Sequence, residues 1–209
     1  MQLLEKLAID PIISQLEEEE ASMATYRDLP KDKRQDYVRA ILKADIANYT
    51  FPANFIERNI HFFRPPTQEE LKESSMASEK LSKYPSGLSD IPNPEVFSQI
   101  CHTFVDIPVE GDQGETQWTR ENIHAAIETS VDKAVEAAVR SANSPIGEQE
   151  EGMMRKSWKR IILTYIRWAV VCRRDGPDTT ETVKLLGRED VLNRIKKADE
   201  MYSEERREK

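Results

Sequence analysis

Residues 153–172 read MMRKSWKRIILTYIRWAVVC, and this stretch decides the fold class. At about 100° per residue, its large apolar side chains fall within one stripe roughly 100° wide, the pattern of a helix that buries one face. The members of the stripe are Trp158, Ile161, Ile162, Tyr165, Ala169 and Cys172. The segment is therefore predicted to be a helix that packs against a helical core.

Two preceding segments show the same periodicity. Thr119 begins an amphipathic helix, and Asn93 and Pro94 give the cap and first-turn signals of another. Their buried faces are predicted to be Ile123, Ile127, Val131, Ala134 and Ala138 in the first, and Phe97, Ile100, Cys101 and Phe104 in the second. Charged residues make up 33% of the chain and 7 of its 209 residues are glycine, which favours charge-covered helices over a sheet. We predict an all-α protein.

The N-terminal part is also predicted to be helical. The first helix is interrupted near Pro11, because proline removes a backbone donor. A second covers Asp32 to Asn48, and a third begins at Pro52 with Thr50 as its cap. Together these segments predict a set of short packed helices.

A connector divides the chain. Thr67 and Glu70 have the spacing of a capping box for a short helix before it. Residues 74–94 are then rich in Ser, Pro and Lys and show little periodicity. We therefore predict two helical subdomains, residues 1–92 with the flexible connector and residues 93–209.

The helix at residues 153–172 is also the most basic part of the chain. The whole sequence has a formal net charge of -8, yet residues 155–174 contain seven basic residues and no acidic one. A helical wheel places four of them within about 40° of one another opposite the core. They are Lys156, Arg160, Arg167 and, if the helix extends so far, Arg174. Such a row suits RNA, because neutralised phosphates release counterions and guanidinium groups stack on bases.

Charge alone leaves other interpretations open. The cations of a solvated helix face can pair with some of the 38 acidic residues, and an acidic protein would also bind them. A membrane surface is the least favoured partner, because no strong Trp/Phe face lies beside the cations. No run of about 18 apolar residues predicts a membrane span either.

No catalytic or metal motif is visible. His61, His102 and His124 lack the spacing of zinc ligands, and the two cysteines have no CxxC partner. The sequence has no glycine-rich phosphate loop and no Gly-x-Ser-x-Gly elbow. We therefore expect no catalytic residue, no metal site and no cofactor within this chain.

Two C-terminal motifs carry a family resemblance. Residues 165–177 read YIRWAVVCRRDGP and residues 185–195 read LLGREDVLNRI. They are similar to the Leu-Arg-x-Ala-Leu-Thr-Gly motif, the Gly-Pro turn and the Leu-Leu-Gly-Lys-Glu-x-x-Leu-x-Arg-Leu motif at the end of bacterial-type glutamyl-tRNA synthetases. Trp118-Thr119 resembles that family's Trp-Thr helix start, and residues 36–63 resemble its first cage helices.

The resemblance implies a helical cage of two subdomains that receives the anticodon of tRNA(Glu). It marks Arg167 as RNA-binding, together with Gly176, Pro177 and Thr179 in the following turn. The sequence departs from the family pattern where Cys172 replaces a glycine and where residues 178–180 replace Gly-Leu-Phe. Asp178 has the position of a helix N-cap, which we prefer to a base contact.

The resemblance also limits the expected role. The family's nucleotide-binding His-x-Gly-His and Lys-x-Ser-Lys motifs are absent, so catalysis, with its ATP and Mg²⁺, would belong to another domain in cis or in trans. The expected partner is tRNA(Glu), not DNA or a membrane. The expected compartment is the mitochondrial matrix for a eukaryotic source and otherwise the cytoplasm. The alternative is a helical protein-interaction module that keeps this fold without binding RNA.

The resemblance predicts that Arg167→Ala weakens tRNA(Glu) binding by about 1–3 kcal/mol, the scale of one good base contact. A titration of the variant checks this value. Binding equal to that of the unsubstituted chain would contradict the assignment.

Overall fold

The computed structural model describes residues 5–74, 94–110, 116–141 and 147–207. Within these ranges the regular elements are helices and no strand occurs, so the prediction of an all-α protein is confirmed. None of these helices is long and apolar enough to cross a membrane. The predicted connector lies almost entirely outside the described residues, and the division into residues 1–92 and 93–209 stays a prediction.

Short helices form the N-terminal part. The α-helices are α1 (Asp10–Glu18), α2 (Ala24–Asp28), α3 (Lys31–Ala44), α4 (Pro52–Arg58), α5 (Ile60–Phe63) and α6 (Gln68–Glu73). A π-helix at Glu5–Ile9 leads into α1, and short 3-10 helices follow α1 and α3 at Glu20–Ser22 and Ile46–Asn48. Pro11 lies in the first turn of α1. The predicted interruption near Pro11 is therefore present as a change of helix type one residue earlier.

Of two predicted helix caps in the N-terminal part, one is confirmed and one was wrong. At α6, the Thr67 hydroxyl accepts the Glu70 amide at 3.1 Å and Glu70 accepts the Thr67 amide at 2.9 Å, which confirms the capping box. The prediction that Thr50 caps α4 was wrong, since Phe51 is the N-cap and the Thr50 hydroxyl bonds Asn54 instead. Pro52 forces the residue before it into an extended conformation, so the cap falls on Phe51, which has no side-chain acceptor.

Longer helices form the C-terminal part. They are α7 (Pro94–Val105), α8 (Arg120–Ser141), α9 (Glu148–Val171), α10 (Thr179–Leu186) and α11 (Arg188–Arg207). Helix α8 packs against α7 and α9, and α11 packs against the same two helices, so these four form a closed group. Helix α10 contacts α8, α9 and α11 and also reaches α3 in the N-terminal part.

Helix α9 has nine buried residues, all from Trp158 onward. All six residues of its predicted apolar stripe are buried, which confirms the stripe. The helix begins at Glu148, earlier than predicted, because Glu150 accepts the Gly147 amide at 3.3 Å. Its last turns are covered on further sides, with Ile166, Trp168, Val170 and Val171 also buried. The Phe97 ring of α7 stacks on Tyr165 with 3.9 Å between ring centroids.

The other predicted faces are mostly confirmed. Ile123, Ile127, Val131 and Ala134 are buried on α8, and Phe97, Ile100 and Phe104 are buried on α7. Ala138 and Cys101 are half-buried, contrary to the prediction. Ala138 lies in the last turn of α8, and Cys101 lies at the edge of α7 near Lys196 and Asp199 of α11. Edge positions keep some solvent contact even on an apolar stripe.

Two buried polar side chains join the two parts. Arg194 on α11 is 4% exposed and donates from Nη1 to the carbonyls of His61 and Val170, both at 2.7 Å. The same guanidinium forms two bonds with Asp190 at 2.9 and 2.7 Å. Trp168 on α9 donates its indole N–H to the Leu71 carbonyl at 3.1 Å. These bonds fix the N-terminal helices against α9 and α11.

Arg194→Met is expected to lower the free energy of unfolding by about 3 kcal/mol, because it leaves two buried carbonyls without a donor and removes a buried guanidinium from its ion pair with the half-buried Asp190. Lys196→Met, on the same helix at an exposed position, is the control and is expected to change it by less than about 0.5 kcal/mol. Urea unfolding of both variants measures the difference. Equal small effects would show that Arg194 does not join the two parts.

Candidate nucleic-acid interface

An open groove runs along the outer face of α9. Its volume is about 400 Å³. It is lined by Lys156, Lys159, Arg160, Leu163, Thr164, Arg167 and Thr179. Four of these residues are cationic, and no acidic residue lines the groove in the described part of the chain. The predicted site residues Lys156, Arg160, Arg167 and Thr179 therefore share one surface.

Some α9 cations are neutralised by acids of α8. Arg155 contacts Glu128 at 3.1 Å and also pairs with Asp132, and Lys159 donates to Glu128 at 2.5 Å. The hydrogen bond from Lys159 helps to hold the pKa of the Glu128 carboxyl below its usual value. For these two cations, the interpretation of a helix face paired with neighbouring acids is correct.

Lys156 and Arg160 differ from Arg155 and Lys159 in their lack of acidic partners among the described residues. Both are exposed. Neither forms an ion pair with an acidic side chain in the ranges that the structure describes. Because their charge is not compensated locally, they give the groove its positive potential.

Arg167 lies where the groove meets the end of α9 and is half-buried. Its Nε and Nη2 donate to the Arg174 carbonyl at 2.9 and 2.6 Å, and its Nη1 donates to the Pro177 carbonyl at 2.8 Å. Burial lowers the pKa of the Arg167 guanidinium. It stays cationic at neutral pH, because the pKa of arginine starts far above neutrality.

The turn after α9 has an unusual backbone. Cys172 caps the helix at φ 51°, Arg173 follows at φ 62°, and Gly176 has φ 148°. The family resemblance places a glycine at Cys172, and the structure shows why that residue type suits the position, since left-handed φ is easiest for glycine. The Arg173 and Arg174 amides donate to the carbonyls of Arg167 and Val171 at 3.2 and 2.9 Å.

Arg174 is not part of the helix face, because the helix does not extend to it as its place in the cation row required, and its role in RNA binding stays a prediction. Helix α9 ends at Val171, so the wheel does not apply to Arg174. Its Nη1 donates to the Glu57 carbonyl at 3.4 Å, and its Nη2 lies 3.8 Å from Glu70. The side chain remains 44% exposed and lies beside the N-terminal helices.

The turn rests on residues of the N-terminal part that the sequence did not mark as functional. A hollow of about 10 Å³ beneath it is lined by Arg58, Asn59, His61, Phe62, Arg167, Val171, Arg174, Asp175, Gly176, Pro177 and Thr182. It adjoins the groove, since Arg167 lines both. Burial lowers the pKa of His61 to about 4, so this histidine is neutral beneath the turn at pH 7. The predicted residues Arg167, Arg174, Gly176 and Pro177 meet at this hollow.

Two carboxylates anchor the side chains around the hollow. Burial favours a raised pKa for Asp45, but hydrogen bonds from Asn48, Asn59 and Arg58 outweigh it and hold the pKa of this carboxyl below its usual value. The two bonds from Arg64, at 2.8 Å each, are the main cause that lowers the pKa of Glu70 to about 2. Both acids are therefore ionised at neutral pH. They balance the arginines that surround the turn.

Asp178 and Thr179 begin α10 at the edge of the groove. The Asp178 carboxylate accepts the Glu181 amide at 3.0 Å, which confirms the predicted N-cap. Arg120 of α8 bonds Asp178 at 2.9 Å and Glu181 at 3.1 Å. Thr179 therefore faces the groove beside two acids whose charge Arg120 compensates.

Comparisons with known proteins give one similar structure. No family model matches the chain, and no curated protein does. Among solved structures, the chain is similar to a glutamate tRNA ligase from Elizabethkingia meningosepticum, crystallised in complex with its amino acid, at 16% sequence identity and a TM-score of 0.47. The similarity covers 95% of this chain and 30% of the ligase, so the chain spans less than a third of that protein's length.

Gly176→Ala is expected to lower the free energy of unfolding by about 1–3 kcal/mol, because φ 148° is accessible to glycine and strained for alanine. The matched control is Gly152→Ala inside α9, where a Cβ meets nothing within 4 Å. It is expected to raise stability by about 0.5–1 kcal/mol through helix propensity. Thermal unfolding compares the two, and a stabilising Gly176→Ala would contradict the turn geometry.

Proposed function

We propose that this chain binds RNA through the groove on α9, as a helical module that positions tRNA and leaves chemistry to another domain. The observation that carries the proposal is the pair of exposed cations Lys156 and Arg160, on a groove that no acidic side chain from the described ranges lines, in a chain of net charge -8. A surface that selected acidic proteins would use the same charges. The open groove, with the Thr179 hydroxyl at its edge, favours a backbone of repeating phosphates.

The cations of α9 form two classes, those paired with acids of α8 and those left exposed on the groove, and phosphate binding gives the second class a role. Arg155 and Lys159 pair with acids of α8 and hold that helix against α9. Lys156 and Arg160 project on the side without such acids, where each can neutralise one phosphate and release counterions. Thr179 adds a hydroxyl group that can donate to a phosphate oxygen, whereas the Thr164 hydroxyl already donates to the Arg160 carbonyl at 2.7 Å.

The choice of tRNA(Glu) rests on the sequence resemblance around Arg167 and Gly187. On that basis the two predicted subdomains form a cage for the anticodon, and the turn of residues 172–177 approaches its bases. A synthetase domain in cis or in trans would bind ATP and Mg²⁺ and form the ester bond. In a eukaryotic source this module would work in the mitochondrial matrix, and otherwise in the cytoplasm.

One observation favours the second candidate, a helical protein-interaction module that has lost RNA binding. The fork of Arg167 is bonded to carbonyls of its own chain, so it does not stand ready for a base. The net charge of -8 adds repulsion between the chain and any polyanion. The two candidates differ in the salt dependence of tRNA binding.

Lys156→Ala and Arg160→Ala are each expected to reduce the slope of log Kd against log salt by about 0.7, the value for one phosphate contact to a single strand. The physical reason is the loss of one counterion-releasing contact in each variant. Fluorescence titrations of tRNA(Glu) at several salt concentrations measure the slopes.

The matched control is Arg155→Ala, one residue from Lys156 on the same helix. Arg155 is already compensated by Asp132 and Glu128, so its removal is expected to leave the slope unchanged within error. Equal changes in all three variants would indicate a general charge effect. A Kd for tRNA(Glu) that does not change with salt concentration would favour the protein-interaction module.

A further inference from the structure

The turn of residues 172–177 is held at both ends by a single side chain and its backbone. The Arg167 carbonyl accepts the Arg173 amide at 3.2 Å at the start of the turn. The Arg167 guanidinium donates twice to the Arg174 carbonyl and once to the Pro177 carbonyl at its end. Arg167 therefore links the start of the turn to its end through hydrogen bonds.

The hydrogen bonds from Arg167 stabilise a backbone conformation that is unfavourable by itself. Cys172 and Arg173 both have left-handed φ without being glycine. Such a conformation is unfavourable for a residue with a side chain and persists where the surroundings determine it. The guanidinium is planar and presents its donors in a fixed fork, so it sets the positions of the two carbonyls relative to each other.

The same bonds leave Arg167 poorly suited to contact RNA itself. Three of its five N–H donors are used within the chain, at distances of 2.6 to 2.9 Å. Bidentate recognition of a phosphate or a guanine edge needs two adjacent donors on one side of the guanidinium. The Nε–Nη2 side is already bonded to the Arg174 carbonyl. An RNA contact through it would release the turn.

We propose that Arg167 is a positioning residue: it holds the turn of residues 172–177 in the shape that RNA contacts, and it binds neither phosphate nor base. The inference rests on the proposed function, because it assigns the RNA contacts near this end of the groove to the turn. Arg174 is one candidate for them, since its side chain is 44% exposed and its own contacts of 3.4 and 3.8 Å are long.

The test compares Arg167→Lys, Arg167→Ala and the control Arg160→Ala in the full chain. Lysine keeps the charge but cannot reproduce the planar fork. Without RNA, the Arg173 and Arg174 amide hydrogens are expected to exchange with solvent about tenfold faster or more in both Arg167 variants, because the turn opens locally. In Arg160→Ala their exchange stays as in the unsubstituted chain. Circular dichroism checks that the helices remain folded.

With tRNA(Glu), both Arg167 variants are expected to lose affinity by a similar factor of about ten, the consequence of an unformed turn. Full affinity of Arg167→Lys would overturn the proposal and show that the charge alone matters. Loss of affinity with unchanged amide exchange would also overturn it and show a direct contact. Absence of tRNA binding by the unsubstituted chain would instead refute the proposed function, and the exchange experiment distinguishes this case because it needs no RNA.

Discussion

The burial of α9 among its neighbours is the constraint on which the rest of the structure depends. Nine of its residues from Trp158 to Val171 are buried, and so is its cap Cys172, with the stacked Phe97 and Tyr165 rings near the middle. In the last two turns the helix is covered on almost every side, and Arg167 is the half-buried exception between Tyr165 and Cys172. A charged side chain in that position must find polar partners at the helix end, and the carbonyls of the following turn supply them.

The burial of α9 also determines which charges of the molecule are compensated and which are exposed. One flank of α9 faces α8, where Glu128 and Asp132 compensate Arg155 and Lys159. The outer flank faces solvent, so Lys156 and Arg160 keep their charge there. Beneath the turn, the ionised Asp45 and Glu70 balance Arg58 and Arg64, which lets several arginines lie close together. A net acidic protein thereby carries one locally basic groove.

Much of this arrangement could be predicted from sequence, because it depends on local chemistry. The stripe of α9 follows from helical periodicity, and the caps at Thr67 and Asp178 follow from residue types at fixed spacing. The wheel brought Lys156, Arg160 and Arg167 together correctly, and the structure places them along one groove. It does not apply to Arg174, whose place depended on the length of the helix, because periodicity cannot show that a left-handed Cys172 ends the helix.

The supports of the turn could not be predicted, because they are distant in sequence. Arg174 meets Glu57 across 117 residues, and Arg194 meets the His61 carbonyl across 133. Such pairs leave no spacing pattern in a single sequence. The most direct measurement of the central claim is photo-cross-linking of 4-thiouridine-substituted tRNA(Glu) to the chain, with the cross-linked peptides identified by mass spectrometry. The account predicts cross-links within residues 156–179, on the groove and the turn. Cross-links confined to α8, or none above those of an unrelated RNA, would contradict it.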